Sequence, residues 1–115
     1  MSDSKDDTAR RQRIAELNDE FRRTQTGGRT VMTLGVQALG PRFIENAVTT
    51  LRQFNEFDVD NDPHGEHDFG EFEVDGYRLF FKINYYAPGL EYGSEDPTDP
   101  EKTVRVLTLM LAEEY

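Results

Sequence analysis

Phe69-Gly-Glu-Phe-Glu-Val-Asp-Gly-Tyr-Arg-Leu-Phe-Phe-Lys-Ile-Asn-Tyr-Tyr86 decides how this chain folds. From Phe69 the apolar period is two, the spacing of a strand with one buried face. Asp75-Gly76, between the two alternating runs, is the sequence of a two-residue hairpin turn, which needs positive φ at both central positions. With Val74 facing Tyr77, Glu73 falls opposite Arg78 and Phe72 opposite Leu79. That register predicts an ion pair outside and apolar pairs inside.

Upstream, Pro41 suits the first position of a helix over about 41 to 56, with Phe43, Ile44, Ala47, Val48, Leu51 and Phe54 on one apolar face. Thr30 to Leu34 reads as a short strand and Gly35 to Gly40 as a connector. Before them, Asp7 or Thr8 caps a helix running to about Gln25, on which Ile14, Leu17 and Phe21 form a narrow stripe and five arginines take the other faces. Gly27-Gly28 stops it. Residues 1–6 are expected to be a disordered leader, leaving 7–115 as one domain. Downstream, a Pro-, Gly- and acid-rich connection spans Ala87 to Lys102. Val104 to Ala112, apolar on nearly every residue, then reads as a strand buried on both faces rather than as a helix. The expected fold is α+β, order α-β-α-β-β-β, with a mainly antiparallel sheet packed by helices.

Composition narrows the function classes. At 115 residues the chain can build one core, to which eight Phe and five Tyr contribute much of the apolar surface. A formal net charge of -10 argues against direct binding of nucleic acid by phosphate neutralisation. The absence of cysteine removes disulfides, thiolate catalysis and Cys-type zinc sites. No stretch approaches the ~20 apolar residues of a membrane span, and a cytoplasmic protein is expected.

The charge is concentrated. Residues 55–76 hold nine Asp or Glu with no Lys or Arg, and both histidines of the chain. Because a hairpin returns to the end from which it started, the loop before Phe69 and the loop after Tyr86 belong at the same end of the sheet. The first carries Asp58, Asp60, Asp62, Glu66 and Asp68; the second carries Glu91, Glu95, Asp96, Asp99 and Glu101. Arg105, Lys82 and Arg52 are the internal cations available to offset them. The loops read either as solvated segments that keep the protein soluble or as a face for a basic protein partner.

Asp58-x-Asp60-x-Asp62 opens like a calcium loop, but Pro63 stands where that loop needs Gly and Phe69 where it needs Glu. His64, His67 and Asp68 are the ligands of an alternative metal site, with a further carboxylate needed from residues 95–99. The competing role for His67 is to organise the loop, with His64 exposed. A divalent cation is therefore the one cofactor the chemistry admits, and otherwise none is expected. No Ser or Cys has the context of a nucleophile and there is no Gly-rich phosphate loop, so no catalytic residue is assigned. Tyr85, Tyr86, Tyr92 and Tyr115 could form an aromatic rim, or complete the core with their hydroxyls in water.

Arg13-Ile-Ala-Glu-Leu-Asn-Asp-Glu-Phe-Arg22, Asn61-Asp-Pro-His-Gly-Glu-His-Asp-Phe-Gly70, Lys82-Ile-Asn-Tyr-Tyr86, Asp96-Pro-Thr-Asp-Pro100 and Arg105-Val-Leu-Thr-Leu-Met-Leu-Ala-Glu-Glu-Tyr115 together resemble a family of small bacterial proteins classed as a domain of unknown function, frequent on plasmids and other mobile elements. The Asn61–Gly70 segment is the most specific part. The resemblance implies no catalytic residues. Its genetic context suggests a non-enzymatic interaction protein, an inhibitor whose carboxylates stand in for phosphates on a nucleic-acid-binding defence protein. The alternative is a metal-dependent hydrolase or nuclease using the His64, His67 and Asp68 loop.

Overall fold

The computed structural model describes residues 3–115. The hairpin forms in the expected register: β2 (Phe69–Val74) and β3 (Tyr77–Tyr86) pair antiparallel, with Val74 opposite Tyr77, Glu73 opposite Arg78 and Phe72 opposite Leu79. Asp75 and Gly76 both take positive φ, 51° and 84°. The expected ion pair shifts by two residues. Arg78 reaches diagonally to Glu71 instead of straight across to Glu73, and its guanidinium lies 5.3 Å from the centroid of the Phe80 ring. A long side chain can span that diagonal, and the aromatic face adds a second attraction.

β4 (Val104–Leu111) pairs antiparallel with β3, and β1 (Gly28–Met32) lies parallel to β4, giving the sheet order β1-β4-β3-β2. The sheet is thus mixed, with two antiparallel pairings and one parallel. β1 begins two residues before the expected strand. Pairing beside β4 is a tertiary choice, set by which edge the hairpin leaves open, and local sequence carries little trace of it.

Among the described residues, three α-helices complete the domain: α1 (Asp3–Thr24), α2 (Leu34–Gln37) and α3 (Pro41–Gln53), with a 3₁₀ turn at Ala112–Glu114. α1 starts before the expected cap. Of the leader, residues 1 and 2 lie outside the described residues, and from Asp3 the chain is helical. α1 ends at Thr24 because Gln25 adopts a left-handed φ of 60°, ahead of the glycines. The short α2 falls in the expected connector. α3 stops at Gln53, three residues early, where Phe54 turns extended.

One sheet face is packed and the other is open. Leu79, Phe81 and Ile83 of β3 and Leu107, Leu109 and Leu111 of β4 join Phe21, Phe43, Ala47, Leu51 and Phe54 in the core. Full burial of each large apolar side chain contributes ~1.5–3 kcal/mol. β4 is buried on both faces only at its C-terminal end, short of what its apolar run led us to expect: on the second face Met110 is buried, but Val104, Val106 and Thr108 are only half-buried. Around Phe80 the open face is partly covered from within, since Tyr115 packs edge-on against both Phe69 and Phe80, which are tilted against each other. Among the described residues no helix is long and apolar enough to cross a membrane.

Candidate functional site

The loop between α3 and β2 is built by its own polar side chains. Asp58 Oδ1 accepts the backbone N–H groups of Asp60 and Asn61, both at 2.9 Å, and Asn61 Oδ1 accepts that of Asp58 at 3.0 Å. This is the Asx-turn chemistry of short acidic residues. The three alternate carboxylates therefore do not converge. Asp58 closes the turn, Asp60 faces solvent, and Asp62 is buried, with both oxygens accepting the backbone N–H of His67 at 3.2 and 3.3 Å.

His67 is the joint between this loop and α1. Its backbone is left-handed, φ 56°, and its ring stacks on Phe57 with centroids 4.0 Å apart and planes 3° apart. Nδ1 lies 2.9 Å from Asp19 Oδ1, and Nε2 3.6 Å from Asp62 Oδ2. Asp19 is held in turn by Arg22 Nη1 at 3.0 Å, while Arg22 Nη2 donates to the Phe54 carbonyl at 2.7 Å. Arg22 is 2% exposed and sits over the rings of Phe57 and Phe81. Burial pulls its pKa below the ordinary arginine value, and Asp19 opposes that pull.

Beside it lies a second buried polar network. Asn18 Nδ2 donates to the Glu66 carbonyl at 2.9 Å and to Tyr85 Oη at 2.8 Å, and Tyr85 donates to Glu66 Oε1 at 2.9 Å. Arg105, 3% exposed, donates through Nε to Asn18 Oδ1 and through Nη2 to the Pro97 carbonyl, both at 2.6 Å. Burial raises the Tyr85 pKa and keeps the phenol protonated. Its hydroxyl thus serves the network instead of reaching water, whereas Tyr92 and Tyr115 are exposed.

The loop from 87 to 103 is also ordered from within. Ala87 N–H donates to the Tyr92 carbonyl at 2.7 Å, Thr103 Oγ1 to the Asp96 carbonyl at 2.8 Å, and Asp96 Oδ1 receives Thr98 N–H and Oγ1. Asp99 receives the Glu101 N–H. Arg10 of α1 meets Asp96 at 3.1 Å. Helix α1 thus touches both acidic loops, the first through Asn18 and Asp19 and the second through Arg10. Of the three cations expected to offset the loops, only Arg105 contributes, through the Pro97 carbonyl. Lys82 is exposed on the open sheet face, and Arg52 Nε binds the Arg23 carbonyl at 2.8 Å.

Asp62, Glu66, Asp96 and Asp99 are thereby engaged inside the protein. Asp58, Asp60, Glu91 and Glu95 stand on the exterior. Asp68 is half-buried, and burial followed by the nearby Glu66 charge raises its pKa. His64 is exposed and His67 is committed to Asp19 and Asp62. Among the described residues no group of three or more His, Cys, Asp or Glu side chains is placed to hold a metal ion.

Sequence reasoning missed Asn18, Asp19 and Arg22. The available signal was their position: Asn18 and Arg22 follow Ile14 at successive intervals of four, the spacing of a buried helix face. Asp19 and Arg22 also border a cleft of about 490 Å³ between α1, α3 and the first acidic loop, lined in addition by Arg23, Arg52, Gln53 and His67 among others.

No curated protein and no solved structure matches the chain. A family model described as "Protein of unknown function (DUF3768)" matches residues 32–114. The matched segment contains β2, β3 and β4, both acidic loops, and α2 and α3, but of β1 only Met32, while α1 lies before it. The chain belongs to this family of proteins of unknown function.

Proposed function

We propose that this protein is a non-enzymatic binding protein whose two acidic loops engage the basic face of a protein partner. The observation that carries this reading is the division of labour among the carboxylates. Asp62, Glu66, Asp96 and Asp99 hold the loops in shape, Asp60, Glu91 and Glu95 are presented outward from them, and the exposed Asp58 does both, closing its turn through Oδ1. Loops ordered before binding lose less conformational entropy on association. Outward carboxylates on such loops attract lysines and arginines, and steer encounter in a salt-dependent way.

A net charge of -10 fits a partner that ordinarily binds nucleic acid, with carboxylates in the place of phosphates. The resemblance to small proteins frequent on plasmids and mobile elements directs attention to cytoplasmic nucleic-acid-binding defence proteins of the host, which such a mimic would inhibit.

The test is a binding and inhibition assay against such nucleases, with wild type and a variant carrying Asp58→Asn, Asp60→Asn, Glu91→Gln and Glu95→Gln. The expected result is salt-sensitive inhibition that the variant loses while its melting temperature stays within a few degrees of wild type. Inhibition that survives all four changes, or a wild type that engages no basic nucleic-acid-binding protein, would remove this reading.

A further inference from the structure

The cleft between the C-terminal ends of α1 and α3 has the opposite electrostatic character from the rest of the molecule. Three arginines, Arg22, Arg23 and Arg52, line it with His67, and Asp19 is its one carboxylate. Asp19 is already engaged, receiving Arg22 on Oδ1 and His67 on both oxygens. Arg52 uses Nε to cap the Arg23 carbonyl, and its terminal nitrogens form no hydrogen bond among the described residues. Arg23 forms no side-chain hydrogen bond or ion pair among the described residues, although the chain carries 23 Asp and Glu. Arg22 Nε is buried without a partner.

Arginines near helix C-termini are favoured by the helix dipole, and that accounts for one cation at each end. It does not account for Arg23 and Arg52 lining one concave space in which no carboxylate remains to be paired. A guanidinium fork matches the oxygens of a phosphate or carboxylate, and the Gln53 side-chain amide adds a neutral donor. Phe54 and Phe57 supply apolar wall, and the volume of about 490 Å³ is that of a small-molecule site.

We infer that this cleft binds a small oxyanion, an organic phosphate or a polycarboxylate, through Arg23 and Arg52. The site lies apart from the outward carboxylates of the acidic loops, but His67 connects its wall to the first of them. Ligand binding there is thus placed to stiffen that loop.

The experiment is a titration of the ¹⁵N-labelled full chain with pyrophosphate and, separately, citrate, at constant ionic strength in a buffer free of oxyanions. The inference expects saturable shifts at the amides of Arg23, Arg52, Gln53 and His67, with a dissociation constant in the millimolar range or tighter. Pyrophosphate binding more tightly assigns an organic phosphate, and citrate a polycarboxylate. Arg23→Gln, at an exposed side chain without a hydrogen bond or ion pair among the described residues, should weaken binding at least tenfold, and Arg52→Gln likewise. Arg42→Gln, outside the cleft, should leave it unchanged. Shifts that do not saturate, that spread equally to Arg10 and Arg11, or that survive Arg23→Gln and Arg52→Gln together would overturn the assignment.

Discussion

Asn18 and Arg105, 87 positions apart, are joined by a buried hydrogen bond of 2.6 Å from guanidinium Nε to carboxamide Oδ1. Both side chains are almost fully enclosed, at 0% and 3% exposure. Since Asn18 also donates to Glu66 and Tyr85, one carboxamide ties α1 to the first acidic loop, to β3 and to β4. A buried polar residue of this kind specifies geometry, because every alternative packing leaves several groups without partners.

Asn18→Ala should therefore destabilise the protein by about 2–4 kcal/mol, far more than the few tenths that alanine recovers in helix propensity. Asn18→Asp keeps an acceptor for Arg105 but loses both donors, so it should rescue only part of the loss. Urea unfolding monitored by circular dichroism measures both. A loss for the alanine variant of less than about 1 kcal/mol would show that the network contributes little.

The left-handed backbone at His67 gives a second prediction, one that reverses a common order. Glycine normally destabilises relative to alanine through its greater freedom in the unfolded chain, but at φ 56° the β-carbon itself is strained. His67→Gly should thus be more stable than His67→Ala by about 1 kcal/mol. Both should be less stable than wild type, having lost the Phe57 stack and the link to Asp19. Thermal melts of the two variants side by side decide the order.

What could be read in advance follows the range of the interactions. The hairpin was legible because Asp75-Gly76 and the alternation on either side of it are local, and α3 because Pro41 and its apolar face are. The parallel partner of β1 and the open face of β4 depend on what else packs nearby, and residues with strand propensity look the same in either setting. The acidic loops are evident in the sequence, but nothing local separates the carboxylates that turn inward from those that face solvent. Glu66 turns inward because Tyr85 donates to its carboxylate and Asn18 to its carbonyl, and Asp62 because the His67 N–H lies there, and Asn18 sits on a helix whose polar residues suggested only solvent. A polar side chain at a buried helical position was the clue that went unused.

Asp68 is held in the folded state with its pKa raised by burial and, less strongly, by the charge of Glu66. A carboxyl with this sign of shift weakens folding as pH rises from the ordinary aspartate value, near 3.9, up to its folded pKa, and the penalty is constant above that. Asp68→Asn removes it. The variant should be more stable than wild type at pH 7, and the gap should narrow as pH falls through the folded pKa and close below about 3.9. Melting temperatures across pH 3–8 trace this directly, and a variant less stable than wild type at pH 7 would mean that the carboxylate has a partner worth more than its burial penalty.

Glu114 carries the opposite sign. Its Oε1 accepts Thr33 Oγ1 at 2.6 Å and Leu111 N–H at 2.9 Å, and its Oε2 accepts Gly35 N–H at 3.0 Å, so the C-terminal turn is tied to the junction of β1 and α2. The bond from Thr33, followed by that from Leu111, lowers its pKa. A depressed carboxyl contributes stability that is present above the ordinary glutamate value of about 4.3 and is lost as pH falls through the lower folded value. Glu114→Gln keeps the shape and one acceptor but not the charge. It should melt below wild type at neutral pH, and the two curves should meet in acid. Hydrogen exchange adds a local readout, because the Gly35 amide should exchange faster in the variant while the amides of β3 keep their protection. Uniform acceleration in both places would mean that Glu114 acts on global stability and not on this junction.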